Sequence, residues 1–265
     1  MLTLELNAGH DFAHDSQILG RSKVAYILPS PEMPERPVFV MLHPFGGKRT
    51  SWAKHAPDLM AQLARDFVVV LPECGRNWFI DDHSGRNYEQ YLVRELIPSV
   101  RTRYRANGPV SIGGFSMGGA SAFFLALRHA NMFASAFAVA GAFLAGNRVG
   151  DPYQAVRSDD LMMPTEAEHD RVWGPPGSQV RAKYDPAAMI GELKGHAPLP
   201  KFYFEVGRHD YPRALEASQK MSELLDAAGA EFEFACHEGG HDWDYAAAGM
   251  ARLIEQSRDA AHRHG

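Results

Sequence analysis

"VSIGGFSMGGASAFFLALRHA", residues 110–130, carries the decision about the fold. An apolar run at 110–113 enters Gly114-Phe115-Ser116-Met117-Gly118, and a helix-forming segment follows at once. This is G-x-S-x-G in a strand–turn–helix setting. Each position has a physical reason. Ser116 at the tip of a tight turn holds its hydroxyl clear of the backbone. Gly114 and Gly118 lack side chains where strand and helix must approach closely. The Met117 amide then sits at a helix N-terminus, where developing negative charge is favoured. Ser116 is therefore the candidate nucleophile.

A serine hydroxyl is a weak nucleophile without a base, and the base needs an orienting acid. Downstream, "KFYFEVGRHDY" reads as a strand followed by Asp210 on a loop, and "EFEFACHEGGHDW" as the next strand followed by His241. The order serine, acid, histidine on successive strand ends is the one this elbow requires. Asp242 and Asp244 lie too near His241 to face it across a loop, Glu205 lies within its strand, and Asp185 lies in an irregular segment. Asp210 is the expected acid and His241 the expected base.

The segment 237–241 also spells H-E-x-x-H, a zinc-site pattern that needs one helix through all five residues. A strand precedes it and Gly239-Gly240 interrupt it, each glycine costing roughly 1 kcal/mol in a helix. With no downstream third ligand evident, the zinc reading is rejected, and neither metal nor cofactor is expected. Upstream, "MLHPFGGKRTSW" should supply a second oxyanion donor beside the Met117 amide. Pro44 has no N–H, so Phe45 or Gly46 must donate.

Strand-like runs recur along the rest of the chain at "LTLEL", "KVAYILP", "VFVML", "FVVVLP" and "ASAFAVAG". Several are continuously apolar, as strands buried on both faces must be. Between them, residues 87–104 place Tyr88, Leu92, Leu96, Val100 and Tyr104 on one helical stripe, with a kink expected at Pro98. Residues 213–228 form another helix, stopped by Gly229. The pattern predicts a mostly parallel sheet of about eight strands with helices on both faces, its first two strands making an antiparallel edge. Residues 142–200 are weakly periodic and rich in Pro, Gly and Asp, so a lid or insertion over the sheet is expected within a single domain of 1–265.

Composition excludes several classes of function. The 265 residues are 45% hydrophobic and 22% charged, as in an ordinary globular chain. A net charge of −5 leaves no basic face for nucleic acid and no polybasic membrane anchor. Two cysteines, Cys74 and Cys236, make no disulfide framework. No signal peptide is read at the N-terminus and no apolar run is long enough to span a bilayer, so a cytoplasmic location is expected.

Together the motifs "SQILGRSKVAYILP", "LHPFGGKRTSW", "NWFIDD", "GFSMGG", "VGRHD" and "GGHDWDY" resemble the esterase D / putative esterase family of α/β-hydrolases, most closely its tributyrin-type short-chain (acetyl) esterases. The resemblance covers nearly the whole chain. It implies an α/β-hydrolase fold, a triad of Ser116, Asp210 and His241, oxyanion amides at Phe45 and Met117, and Trp78 lining the acyl pocket. Trp243 and Gly46 are expected beside them in the substrate-binding wall. S-formylglutathione hydrolases share the family but spell the histidine segment differently and usually read Ser-Gly-Leu-Thr in the oxyanion loop. Two positions depart from the pattern: Pro44 replaces a usual glycine, and Ala246 stands where relatives often carry a second tryptophan. The reading is a serine carboxylesterase acting on small acyl esters. A thioester or carbohydrate-acetyl hydrolase with the same machinery is the alternative, and a catalytically silent binding module is the competitor from another class. Oligomeric state is left open.

Overall fold

Eight strands form one sheet in the order β1-β2-β4-β3-β5-β6-β7-β8. The computed structural model describes residues 9–31, 35–149, 163–193 and 199–263. The strands are β1 (His10–Ser16), β2 (Arg21–Leu28), β3 (Val38–Leu42), β4 (Val68–Leu71), β5 (Val110–Phe115), β6 (Phe133–Val139), β7 (Lys201–Gly207) and β8 (Phe232–His237). From β4 through β8 every pairing is parallel, whereas β1 and β2 run antiparallel at one edge. The expected "LTLEL" strand lies outside the described residues. The edge strand observed is instead "HDFAHDS", whose polar alternation hid it from a reading that looked for apolar runs.

Period-two alternation divides the core. Val38, Val40 and Leu42 of β3 face one apolar cluster, and Phe39 and Met41 face the other. On the first side pack α5 (Met117–Arg128) and the stretch formed by α3 (Tyr88–Tyr91) and α4 (Ile97–Tyr104). On the second pack α1 (Ser51–His55), α2 (Pro57–Asp66) and α10 (Trp243–Arg263). The Tyr88–Tyr104 stretch is interrupted by a π-helical turn at Leu92–Leu96, which ends two residues before Pro98 and contains the carbonyl four residues back from it. A proline ring in an α-helix collides with the carbonyl four residues back, and the wider turn relieves that collision.

The described part of 142–200 holds regular structure. Three short helices, α6 (Glu166–Trp173), α7 (Gln179–Lys183) and α8 (Pro186–Glu192), bury Trp173, Tyr184, Met189 and Ile190 in the first cluster. Side chains of Thr165, Ser178 and Asp185 cap their N-termini. Residues 150–162 and 194–198 of the expected lid lie outside the described residues. The remaining long helix, α9 (Pro212–Ala227), ends before Gly229, which adopts a φ of 66°. Among the described residues no helix is long and apolar enough to cross a membrane.

After β3 the chain turns to β4 on one side, then returns as β5 on the other. Such a reversal of strand order opens a crevice at the carboxyl ends of β3 and β5.

Candidate active site

The crevice holds the sharp turn foreseen at Ser116. Its φ of 55° and ψ of −116° are sparsely populated for a residue with a side chain, at a cost of order 1–3 kcal/mol. Hydrogen bonds hold it there: the Ser116 N–H donates to the Val139 carbonyl at 2.9 Å, and the Ala120 N–H donates to the Ser116 carbonyl at 3.0 Å. A Cβ on Gly114 would lie 2.5 Å from the Gly118 carbonyl carbon, and one on Gly118 would lie 2.4 Å from the Leu42 carbonyl oxygen. Only glycine allows the strand, the helix and the end of β3 to approach so closely.

The loops after β7 and β8 interlock beside this turn. Arg208 N–H donates to the His237 carbonyl at 2.8 Å and His209 N–H to the Gly239 carbonyl at 2.9 Å. Across the interlock, His241 Nδ1 meets Asp210 Oδ1 at 2.8 Å and Oδ2 at 3.0 Å, and His241 Nε2 meets Ser116 Oγ at 2.9 Å. A carboxylate only accepts, so Nδ1 carries the proton and the Nε2 lone pair faces the serine hydroxyl. The imidazole packs against the rings of Phe115 and Tyr211, at centroid distances of 4.7 and 4.9 Å. Asp210 is buried and also accepts the Tyr211 N–H at 2.6 Å.

The other acids are occupied elsewhere. Glu205 pairs with Arg252 at 2.6 Å, Asp185 caps α8, and Asp242 Oδ1 accepts the Tyr245 N–H at 2.8 Å. The H-E-x-x-H letters span the end of β8 and a loop, with no helix through them. His237 Nε2 lies 3.8 Å from Glu205 Oε2, whereas His241 faces Ser116.

The loop after β3 brings Phe45 and Gly46 to the same crevice. Gly46 N–H is already donated to the Gly75 carbonyl at 3.0 Å, and Gly47 N–H to the Pro44 carbonyl at 2.9 Å. Phe45 N–H is therefore the amide of this loop left for a ligand, alongside Met117 N–H in the unpaired first turn of α5. Sequence reasoning passed over the residue that shapes this loop. His43 is fully buried; its Nδ1–H donates to the Pro44 carbonyl at 2.8 Å and its Nε2 accepts the Cys74 N–H at 3.1 Å. Burial pushes its pKa down to about 4, so the ring is a neutral brace. The available signal was a histidine directly after a buried strand and before a proline.

The crevice is a cleft of about 360 Å³, walled by Phe45, Trp78, Met163, Pro164 and Trp243. Trp78 packs edge-to-face on Trp173 at 4.8 Å. Trp243 meets Trp52 edge-on at 5.1 Å and stacks on His55 at 4.6 Å. On the rim, the Arg76 guanidinium lies 4.5 Å from the Phe45 ring centroid and forms a two-pronged ion pair with Glu168, at 2.6 and 2.7 Å. That pair ties α6 to the loop after β4, whose Arg76 in turn covers Phe45, and holds the Glu168 pKa down to about 2.

A family model described as "Esterase: Putative esterase" matches residues 16–258. An acetyl esterase of Caldicellulosiruptor saccharolyticus is 24% identical over 210 residues, covering 77% of this chain and 77% of its own. Among solved structures, FphF, a fluorophosphonate-binding serine hydrolase of Staphylococcus aureus, aligns with a TM-score of 0.75 at 18% identity, covering 94% of this chain and 97% of that one. An S-formylglutathione hydrolase (FrmB), also from Staphylococcus aureus, aligns with the same TM-score of 0.75 at 18% identity, covering 94% and 98%. At these identities the structural matches establish a common fold, the α/β-hydrolase arrangement already visible in the sheet.

Proposed function

This chain belongs to the Esterase family, and on that premise we propose that it is a serine carboxylesterase hydrolysing short-chain acyl esters. The observation that carries the reading is the relay of Asp210, His241 and Ser116 at the floor of an apolar cleft. In the proposed reaction, Ser116 Oγ attacks the ester carbonyl carbon while His241 Nε2 takes the hydroxyl proton. The carbonyl oxygen, now negative, lies toward the Phe45 and Met117 amides, whose fixed dipoles stabilise it. Asp210 holds the imidazole in the needed tautomer and stabilises the imidazolium. His241 then passes its proton to the departing alkoxide, leaving an acyl-serine. Water attacks the acyl-serine carbonyl with His241 again as base; the Ser116 oxygen then leaves, takes the proton back from His241, and the acid is released.

The bulky walls on the acyl side, Trp78 and Phe45, support a short acyl group, and the acetyl esterase relative agrees with that size. Thioester hydrolysis by the same residues is the second reading, favoured by the S-formylglutathione hydrolase among the structural matches. A thiolate leaves more readily than an alkoxide and requires no different machinery. The two free thiols, Cys74 and Cys236, suit a reducing compartment, so the cytoplasm is the location assigned to it.

The test is a pre-steady-state experiment with p-nitrophenyl acetate. A burst of p-nitrophenol equal to the enzyme concentration, followed by slower steady turnover, is the expected record of an acyl-serine. Absence of turnover with p-nitrophenyl acetate, thioacetates and S-formylglutathione alike would remove the hydrolase reading and leave a binding module.

A further inference from the structure

We infer that Asp242 selects the leaving group by charge, favouring esters of neutral or cationic alcohols over anionic ones. This rests on the esterase reading above and concerns the half of the substrate that reading leaves open. Asp242 is the one fixed charge among the described residues lining the cleft. It is exposed at the mouth, and among the described residues no cation pairs with it; its Oδ1 accepts only the Tyr245 backbone N–H. The cations on the loops framing the cleft are matched elsewhere: Arg49 by Asp11 and Glu73, Arg76 by Glu168, and Arg208 by Glu238. Lys48, on the loop after β3, is outside the lining.

The chemistry fixes which half of the substrate meets this charge. The leaving oxygen must come within reach of His241 Nε2 to be protonated, so the alcohol portion passes along the side of the cleft that His241 and its chain neighbours build. That side carries Asp242 and Trp243. The acyl portion goes toward Phe45, Trp78 and Met117. A carboxylate on the alcohol portion therefore approaches Asp242 with like charge, at a cleft mouth where screening is incomplete.

The experiment compares kcat/KM for three acetates: 4-acetoxybenzamide (neutral), 4-acetoxybenzoate (anionic) and 3-acetoxy-N,N,N-trimethylanilinium (cationic). The variant is Asp242→Asn, which removes the charge and keeps a side-chain oxygen for the Tyr245 N–H, since Asn and Asp cap helices equally well. Ratios between substrates cancel any effect of the variant on His241 itself. The benzoate-to-benzamide ratio should rise about three- to tenfold in the variant at low salt, and the anilinium ratio should fall. Independently of any variant, raising ionic strength should lift the wild-type benzoate-to-benzamide ratio, because exposed charges are screened. Ratios that stay within twofold in both arms would overturn the charge selection while leaving the esterase reading standing. No turnover of any of the three acetates would bring down the esterase reading, and the selection with it.

Discussion

The floor and the walls of the cleft are built on different principles. Ser116, Asp210 and His241 stand on turns at the ends of β5, β7 and β8, locked by backbone hydrogen bonds and by glycines that admit no side chain. The walls come from Trp78, Trp243, Met163 and Pro164, held by ring packing and by one ion pair between Arg76 and Glu168. A floor set by the sheet has one geometry, and a wall set by side chains can be recut. The comparison makes a division of labour testable. Floor changes should lower turnover of every ester alike, and wall changes should redistribute preference among esters.

The largest effect should follow Ser116→Ala, which removes the proposed nucleophile and should lower kcat by a factor on the order of 10⁶. Steady-state rates on acetate, butyrate and octanoate esters check it; a loss confined to one chain length would break the comparison. Next in size, Asp210→Asn should reduce kcat by about 10³ to 10⁴, because it presents the wrong His241 tautomer to Ser116. If Glu205→Gln is the more damaging change, the acid has been misassigned.

His43 sits between floor and wall, and it sharpens the comparison. His43→Asn frees the loop that carries Phe45, and a displacement of about 1 Å there can lower kcat by up to about 10²-fold on all esters. The same residue has a pH signature. Its folded value near 4 lies below the ordinary 6.5, so between these values the unfolded chain binds a proton that the native state refuses. Its contribution to stability is therefore lost as pH falls through that window, by about 2 kcal/mol at pH 5 relative to pH 7. Urea midpoints at the two pH values should show this loss in the wild type and a smaller one in His43→Asn.

The smallest effect belongs to the wall. Trp78→Ala should move the optimum, expected between acetate and butyrate in the wild type, toward longer acyl chains. Each methylene newly accommodated is worth ~0.8 kcal/mol, roughly fourfold in kcat/KM. An unchanged chain-length profile, measured at a temperature where the variant remains folded, would remove Trp78 from the acyl wall.

Legibility in the sequence follows the same division. The turn at Ser116 could be read because its strand–turn–helix spacing demands glycines at fixed positions, and the meeting of Asp210 and His241 because each stands on the loop after a strand-forming run. His43 was missed because its role depends on two backbone groups, Pro44 O and Cys74 N–H, brought together only by folding. The edge strand His10–Ser16 was missed because its inward side offers Phe12, His14 and Ser16 rather than an apolar row. The helices of 166–192 lack a long amphipathic stripe; caps and a few large buried side chains hold them. Their start signals were present, most plainly the capping box from Thr165 to Glu168, but each helix is too short for periodicity to register.

The central claim is that Ser116 is the nucleophile, activated through His241. Labelling with a fluorophosphonate, followed by peptide mass spectrometry, tests it most directly. One equivalent of phosphonate on Ser116, lost in Ser116→Ala and strongly slowed in His241→Ala, is the expected result. A label on another residue, or labelling at the wild-type rate without His241, would contradict it.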